Sequence, residues 1–147
     1  MTTDVLRRQV AHLTAVEVDD ALAASLAARL EGTNVEVVHA DGTALPFASN
    51  RFDAATCFTM LHHVPSPALQ DRLLAEVQRV LRPGGFLIGT DSTASDALSD
   101  LHEGDVYVPV DPAHLPARLE GAGFSDVVVE RAEGRVRFVG RAGNSES

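Results

Sequence analysis

The chain has 147 residues, of which 45% are hydrophobic and 22% charged, and its formal net charge is −9. This length and composition predict one globular domain, residues 1–142, followed by a disordered tail at residues 143–147. The negative charge argues against unassisted binding to nucleic acids, which depends on the neutralisation of phosphates. No apolar run approaches the ~18 residues of a membrane-spanning helix, so we expect no membrane association.

The numbers of cysteine and lysine residues exclude further classes of chemistry. The single cysteine, Cys57, excludes an internal disulfide and fits a reducing compartment, so we expect a cytoplasmic protein. All twelve basic residues are arginines. The absence of lysine excludes Schiff-base and Walker-A chemistry, because both need a lysine amine.

Strand-like apolar runs alternate with helical patterns along the chain, which is typical of an α/β fold with a parallel sheet covered by helices on both faces. The last two runs flank Glu133-Gly134, a short turn that predicts an antiparallel hairpin with exposed arginines on one face. The predicted strands are Leu13–Val18, Val35–Ala40, Phe52–Phe58, Phe86–Thr90, Val127–Glu130 and Arg135–Gly140.

The predicted helices lie between these strands and begin at residues that favour helix N-termini. A first helix covers about residues 4–11. The second follows Asp19 or Asp20 and ends at Gly32, the third follows Ser66-Pro67, and the fourth is capped at Asp111-Pro112. Their apolar stripes comprise Leu22, Leu26 and Leu30; Leu69, Leu73, Val77 and Leu81; and Leu115 and Leu119.

The segment Val35–Val64 reads VEVVHADGTALPFASNRFDAATCFTMLHHV, and Arg82–Gly85 reads RPGG. This succession resembles the central signature of class I S-adenosylmethionine-dependent methyltransferases of the type 11 kind. The resemblance covers about residues 13–123. It implies a Rossmann-like, mostly parallel sheet with a C-terminal antiparallel hairpin, and methyl transfer from S-adenosylmethionine to a small-molecule acceptor.

The resemblance also implies cofactor-binding residues at the carboxyl ends of strands, where open α/β sheets bind ligands. Glu17 would accept the ribose hydroxyls, Asp41 the adenine amino group, and the Gly42 N–H would donate to the adenine ring. The Phe58 carbonyl would receive the methionine ammonium group, with Leu45–Phe47 as an apolar wall beside the purine. The structural alternatives are a carboxylate that helps to cap the next helix and an ordinary Asp-Gly turn.

His62 and His63 follow in a loop that faces the substrate in the family. Either imidazole is a candidate general base near neutral pH, although many relatives use this loop structurally. No histidine spacing typical of a metal site is present, so we expect no metal. His102, Glu103, Asp105 and Tyr107 follow in a segment that is either a substrate-reading loop or a solvated loop. The resemblance therefore assigns no catalytic residue.

The glycine-rich loop that precedes the ribose-binding acid in this family has no counterpart before Glu17. We therefore expect the methyltransferase domain to be N-terminally incomplete, lacking the first strand, through a misassigned start codon or a decayed gene. Such a chain would bind the cofactor poorly or not at all. Two other classes stay open: a non-catalytic methyltransferase-like binding module, and a nicotinamide-dependent enzyme, which the Leu45–Phe47 motif and the terminal hairpin disfavour.

Overall fold

The computed structural model describes residues 2–58, 60–93 and 108–143. His102, Glu103, Asp105 and Tyr107, and the predicted tail beyond residue 143, lie outside the described residues. The chain divides into two compact units, Met1–Pro46 and Phe47–Ser147.

All six predicted strands are present, and helices separate the parallel ones, which confirms the α/β class. No helix of the described residues is long and apolar enough to cross a membrane. In chain order the elements are α1 (Thr2–Leu6), β1 (Leu13–Glu17), α2 (Asp20–Arg29), β2 (Val35–His39), β3 (Phe52–Phe58), a 3₁₀ turn (Leu61–His63), α3 (Pro67–Val80), β4 (Leu81–Ser92), α4 (Leu115–Gly121), β5 (Phe124–Ala132) and β6 (Arg135–Ala142).

In the first unit, β1 and β2 form a parallel two-stranded sheet in which Glu17 lies opposite His39. The predicted cap of α2 is confirmed, because Asp19 Oδ1 accepts a hydrogen bond from the backbone N–H of Leu22 at 2.8 Å. The predicted apolar stripe of α2 is only partly buried. Leu30 is 3% exposed but Leu22 is 61% exposed.

Helix α1 ends at Leu6, five residues before the end that the sequence predicted. The side chain of Asn34 explains the early end, since its Nδ2 donates to the carbonyl oxygens of Arg7 at 2.6 Å and Val10 at 2.9 Å. These bonds hold the residues after α1 in a turn in place of a further helical turn.

In the second unit, four strands form a sheet in the order β3–β4–β6–β5. β3 and β4 are parallel, whereas β6 is antiparallel to both β4 and β5. Ala132 lies opposite Arg135 across the Glu133-Gly134 turn, which confirms the predicted hairpin. The arginines of the hairpin are exposed as predicted: Arg131, Arg135, Arg137 and Arg141.

Helix α3 begins as predicted, with Ser66 Oγ accepting from the backbone N–H of Leu69 at 3.1 Å. β4 begins at Leu81, five residues earlier than predicted, and includes the RPGG segment. The reason is pairing with the neighbouring strand, because Leu81 lies opposite Phe52. A Cβ on Gly85 would lie 2.9 Å from the carbonyl oxygen of Asp53, so this close strand approach requires glycine.

Helix α4 begins at Leu115, later than the predicted cap at Asp111. Asp111 forms a preceding turn, in which its Oδ1 accepts from the backbone N–H of Ala113 at 2.9 Å and its carbonyl oxygen accepts from that of His114 at 3.1 Å. The Asp-Pro pair therefore starts a turn that leads into the helix.

The buried core of the second unit combines the strands with α3 and α4. Among the described residues of the first unit, by contrast, the buried apolar residues are Ala23 and Leu30. The core cluster comprises Cys57, Leu61, Val64, Leu73, Leu74, Val77, Leu81, Leu87, Val110, Leu115, Leu119, Phe124, Val136, Phe138 and Ala142.

The packing of this core can be tested by substitution of Gly89. It lies opposite Phe138, which is fully buried, and a Cβ on Gly89 would overlap the Phe138 ring. We expect Gly89→Ala to lower the free energy of unfolding by ~1–3 kcal/mol, the usual cost of overpacking. Gly121→Ala is the matched control, because its Cβ meets nothing within 4 Å. Equal unfolding free energies for both variants in urea denaturation would contradict this packing.

Candidate functional site

Glu17 is the last residue of β1, so its carboxylate stands at the carboxyl end of a parallel strand. The side chain is partly buried, and its Oε1 accepts a hydrogen bond from the backbone N–H of Asp19 at 3.1 Å. Its Oε2 has no hydrogen-bond donor in the described part of the chain. Glu17 thus supports the turn before α2 with one oxygen, and the other can accept hydrogen bonds from a ligand.

Asp41 and Gly42 follow β2, the parallel neighbour of β1, at the same edge of the sheet. Asp41 is exposed, and its Oδ1 accepts from the backbone N–H and the hydroxyl of Thr43 at 2.9 and 2.8 Å. This is the geometry of an Asp-Gly turn. The first unit therefore brings Glu17 and Asp41 to neighbouring strand ends, with each carboxylate also serving a local turn.

The predicted apolar wall divides between the two units, because Pro46 ends the first and Phe47 begins the second. The Phe47 ring packs edge-on against Phe52 with centroids 5.1 Å apart, and the Arg51 guanidinium lies 5.2 Å from both rings. Phe47 thus makes aromatic and cation–π contacts within the second unit.

Phe58 is the last residue of β3, opposite Thr90 of β4. Its side chain is partly buried. Phe58 therefore has a strand-end position like those of Glu17 and Asp41, but in the second unit. The 3₁₀ turn that carries the two histidines begins three residues later.

His62 and His63 have opposite environments, although they are adjacent in sequence. His62 is 2% exposed, whereas His63 is exposed, and their ring centroids lie 4.0 Å apart with a 43° tilt. His62 Nδ1 lies 2.6 Å from Oδ1 of Asp91, which is 1% exposed. A carboxylate at this distance accepts the Nδ1–H of the imidazole and fixes its orientation.

Asp91 is nearly the last residue of β4, so this carboxylate also stands at the carboxyl end of a strand. Its Oδ1 accepts a second hydrogen bond, from the backbone N–H of Ser92 at 2.7 Å. Its Oδ2 is buried and has no donor among the residues that the structure describes. Asp91 is thus a buried acceptor held between β4 and the 3₁₀ turn.

A third buried polar residue, Gln70 of α3, holds the backbone of the same turn. Its Nε2 donates to the carbonyl oxygens of Leu61 at 3.0 Å and Val108 at 2.9 Å. Its Oε1 accepts from Arg118 Nη2 at 2.8 Å. The backbone N–H of Val108 donates to the carbonyl of His62 at 2.8 Å, so the turn is bonded to α3 and to the segment before α4.

Cys57, next to the end of β3, lies in the core of this region and is 6% exposed. Burial raises the pKa of its thiol to about 12, and the negative charge of Asp91 adds to the increase. A thiol with such a pKa stays protonated near neutral pH, so Cys57 is a packing residue rather than a nucleophile.

Sequence reasoning did not single out Asp91, Gln70 or Arg118. Asp91 had a detectable signal, because it follows the predicted strand Phe86–Thr90 just as Asp41 follows the predicted strand Val35–Ala40. Gln70 and Arg118 had none, since their pairing depends on how α3 and α4 pack. The described residues contain no group of three potential metal ligands.

Comparison with known protein families places the chain in one class of protein. A model of the methyltransferase domain matches residues 1–89, more than half of the chain. The chain therefore belongs to the methyltransferase domain family, in its class I S-adenosylmethionine-dependent form, as the sequence motifs predicted.

Several curated relatives are similar over part of the chain. The ubiquinone/menaquinone biosynthesis C-methyltransferase UbiE of Hahella chejuensis is 46% identical over 57 residues, which are 39% of this chain and 22% of that protein. The demethylmenaquinone methyltransferase of Renibacterium salmoninarum is 37% identical over 78 residues, 53% of this chain and 32% of that protein. The matched segments thus span a third or less of these relatives' length.

Solved methyltransferase structures have the same fold. The S-adenosylmethionine-dependent methyltransferase of Methanosarcina mazei superposes with a TM-score of 0.70 over 99% of this chain and 88% of that chain, at 18% sequence identity. The likeness confirms the Rossmann-like methyltransferase fold, including its C-terminal antiparallel strands.

The raised pKa of Cys57 predicts slow thiol chemistry in the folded protein. At about pH 8, a thiol of pKa about 12 is ionised in roughly one molecule in 10⁴, against about one in four for an ordinary cysteine. We expect a chromogenic disulfide reagent to label native Cys57 at least ~10³-fold more slowly than the urea-unfolded chain. Equal labelling rates in the two states would show that Cys57 is neither buried nor shifted.

Proposed function

We propose that this protein transfers a methyl group from S-adenosylmethionine to a small-molecule acceptor. The observation that carries the proposal is the pair of carboxylates, Glu17 and Asp41, at the carboxyl ends of two adjacent parallel strands in a chain of the methyltransferase family. Open α/β sheets bind their ligands at this edge. The lone, unreactive Cys57 fits our further proposal of a cytoplasmic location.

The chemistry of these residues fits the adenosine part of the cofactor. A carboxylate is an acceptor only, and both the ribose hydroxyls and the adenine amino group are donors. Glu17 is partly buried with one oxygen engaged by Asp19, so its other oxygen would accept the ribose hydroxyls. Asp41 would accept the amino group, and the Gly42 N–H would donate to the ring. In the second unit, the strand-end carbonyl of Phe58 is likewise an acceptor that suits an amino group such as that of the methionine portion.

The cofactor, when bound, supplies a methyl group that is already activated. The protein then has mainly to hold the acceptor in line with that group and to exclude water. The names of the two curated relatives point to quinone-type acceptors, which are planar and apolar. We propose an electron-rich aromatic acceptor of this kind as the first one to test.

A non-catalytic methyltransferase-like binding module is the second candidate. It is favoured by exposed apolar side chains in the first unit, where Val18 is 64% and Leu22 61% exposed. Exposed apolar groups of this kind suit a partner-binding surface. Cofactor binding without methyl transfer to any acceptor would support this candidate over the enzyme.

The cofactor site can be tested by isothermal titration calorimetry with S-adenosylmethionine, at ligand concentrations high enough to detect the weak binding that the sequence predicts. We expect Glu17→Ala to weaken binding by about 1–3 kcal/mol, the usual cost of losing a charged hydrogen-bond partner. Asp41→Asn keeps an oxygen for the Thr43 turn but loses the charge, and we expect a smaller loss in the same direction.

Glu36→Ala is the matched control, because Glu36 is the second residue of β2, near its amino end, and its Oε2 lies 3.7 Å from His12 Nε2. We expect its cofactor affinity to equal that of the unchanged chain. If Glu17→Ala and Asp41→Asn also left the affinity unchanged, the site assignment would be wrong. Transfer of labelled methyl to reduced demethylmenaquinone then tests the enzyme against the binding module.

A further inference from the structure

The turn between β1 and α2 carries the backbone group that fixes one oxygen of Glu17. The N–H of Asp19 donates to Glu17 Oε1 at 3.1 Å, and the Asp19 side chain caps the next helix by accepting from Leu22 at 2.8 Å. The orientation of the Glu17 carboxylate, and so of the oxygen that is left for a ligand, therefore depends on where this turn lies.

The end of β2 holds this turn from the neighbouring strand, and all of these residues lie in the first unit. The backbone N–H of Ala40 donates to the carbonyl oxygen of Glu17 at 3.0 Å, which fixes the end of β1 itself. The next carbonyl, that of Val18, lies 2.9 Å from the ring Nε2 of His39. Because His39 is the last residue of β2 and lies opposite Glu17, its side chain spans the two strand ends.

The contact with Val18 determines which ring nitrogen of His39 carries a proton. A carbonyl oxygen is an acceptor only, so Nε2 must be the donor. Nδ1 lies 3.6 Å from Asp20 Oδ1, an ion-pair distance that contributes only when the ring is protonated and that is weak at this exposed position. The neutral ring can thus hold Val18 through Nε2 alone.

We propose that His39 is a positioning residue of the cofactor site, which holds the turn after β1 so that the Glu17 carboxylate keeps the orientation in which it accepts the ribose hydroxyls. The inference rests on the proposed function. It extends that function to a side chain that acts on the cofactor through another residue. The expected effect is modest, since the His39 side chain is 51% exposed and water competes for its hydrogen bond.

The hold on the turn is tested by NMR on ¹⁵N-labelled protein without cofactor. We expect the neutral His39 ring to carry its proton on Nε2. The amide of Asp19 should exchange with water about three- to tenfold faster in His39→Leu, but not in His39→Gln, whose amide nitrogen can still donate to Val18. A ring protonated on Nδ1 alone, or equal Asp19 exchange in all three proteins, would overturn the proposal whatever the cofactor does.

The effect on the cofactor is tested by isothermal titration calorimetry with S-adenosylmethionine. We expect His39→Leu to raise Kd about three- to tenfold, the usual contribution of one hydrogen bond, and His39→Gln to restore most of the affinity. In the Glu17→Ala background, His39→Leu should have no further effect, because both changes remove the same interaction. A ring that touched the cofactor directly would lose affinity in His39→Gln and in the Glu17→Ala background, and either result would overturn the positioning role.

His12→Leu is the control, because His12 is also an exposed histidine of the first unit, with its Nε2 3.7 Å from Glu36 Oε2 near the amino end of β2. We expect its cofactor affinity to be unchanged. His39→Asn is a second route to the same loss, since its side chain is polar but too short to reach the Val18 carbonyl.

The calorimetric outcomes separate this inference from the proposed function. Unchanged affinity in His39→Leu and His39→Asn, together with weaker binding in Glu17→Ala, would overturn the positioning role alone. Unchanged affinity in Glu17→Ala as well, or no binding by the unchanged chain, would overturn the proposed cofactor site and this role together. The exchange of the Asp19 amide would still report whether His39 holds the turn.

Discussion

The register of β4 determines which side chains face the core of the second unit. From Phe86 to Thr90, β4 is paired on both sides, and from Phe86 onward its residues alternate between the two faces of the sheet. Leu87, Gly89 and Asp91 share the buried face, and this places a carboxylate in the core without any local preference for it. A buried carboxylate is costly unless it is hydrogen-bonded, and His62 supplies the partner.

The candidate functional residues of both units obey one rule of parallel sheets. Glu17, Phe58 and Asp91 end or nearly end β1, β3 and β4, and Asp41 follows β2. Side chains at this edge, such as those of Glu17 and Asp41, can reach a ligand, whereas Asp91 is enclosed in the core. Residues in the interior of the strands, such as Cys57 and Leu87, pack in the core instead. The same backbone geometry therefore separates stability from chemistry along each strand.

The sequence predicted those features that depend on local pattern. The strand β3, the caps of α2 and α3, and the Glu133-Gly134 hairpin are present as predicted, because each is specified by residues within a few positions. The predictions were wrong where partners distant in sequence decide. β4 starts earlier than predicted because Leu81 pairs with Phe52 of β3. α1 stops earlier than predicted because the Asn34 side chain donates to the carbonyl oxygen of Arg7, in the turn after the helix. The strand-end acids were predictable in the same local way, whereas the links of Gln70 to Arg118 and of His62 to Asp91 require the tertiary fold.

The buried polar groups around the 3₁₀ turn are better explained by specificity than by stability. A buried carboxylate and its imidazole partner gain little over an apolar pair of the same volume, because desolvation offsets most of the attraction. Apolar residues at 62 and 91 would fill the same space between β4 and the turn, and Gln70 would still hold the backbone. What apolar residues cannot supply is one fixed ring orientation beside His63. The hydrogen bond between His62 and Asp91 therefore specifies one orientation of the His62 ring and one placement of the turn on β4.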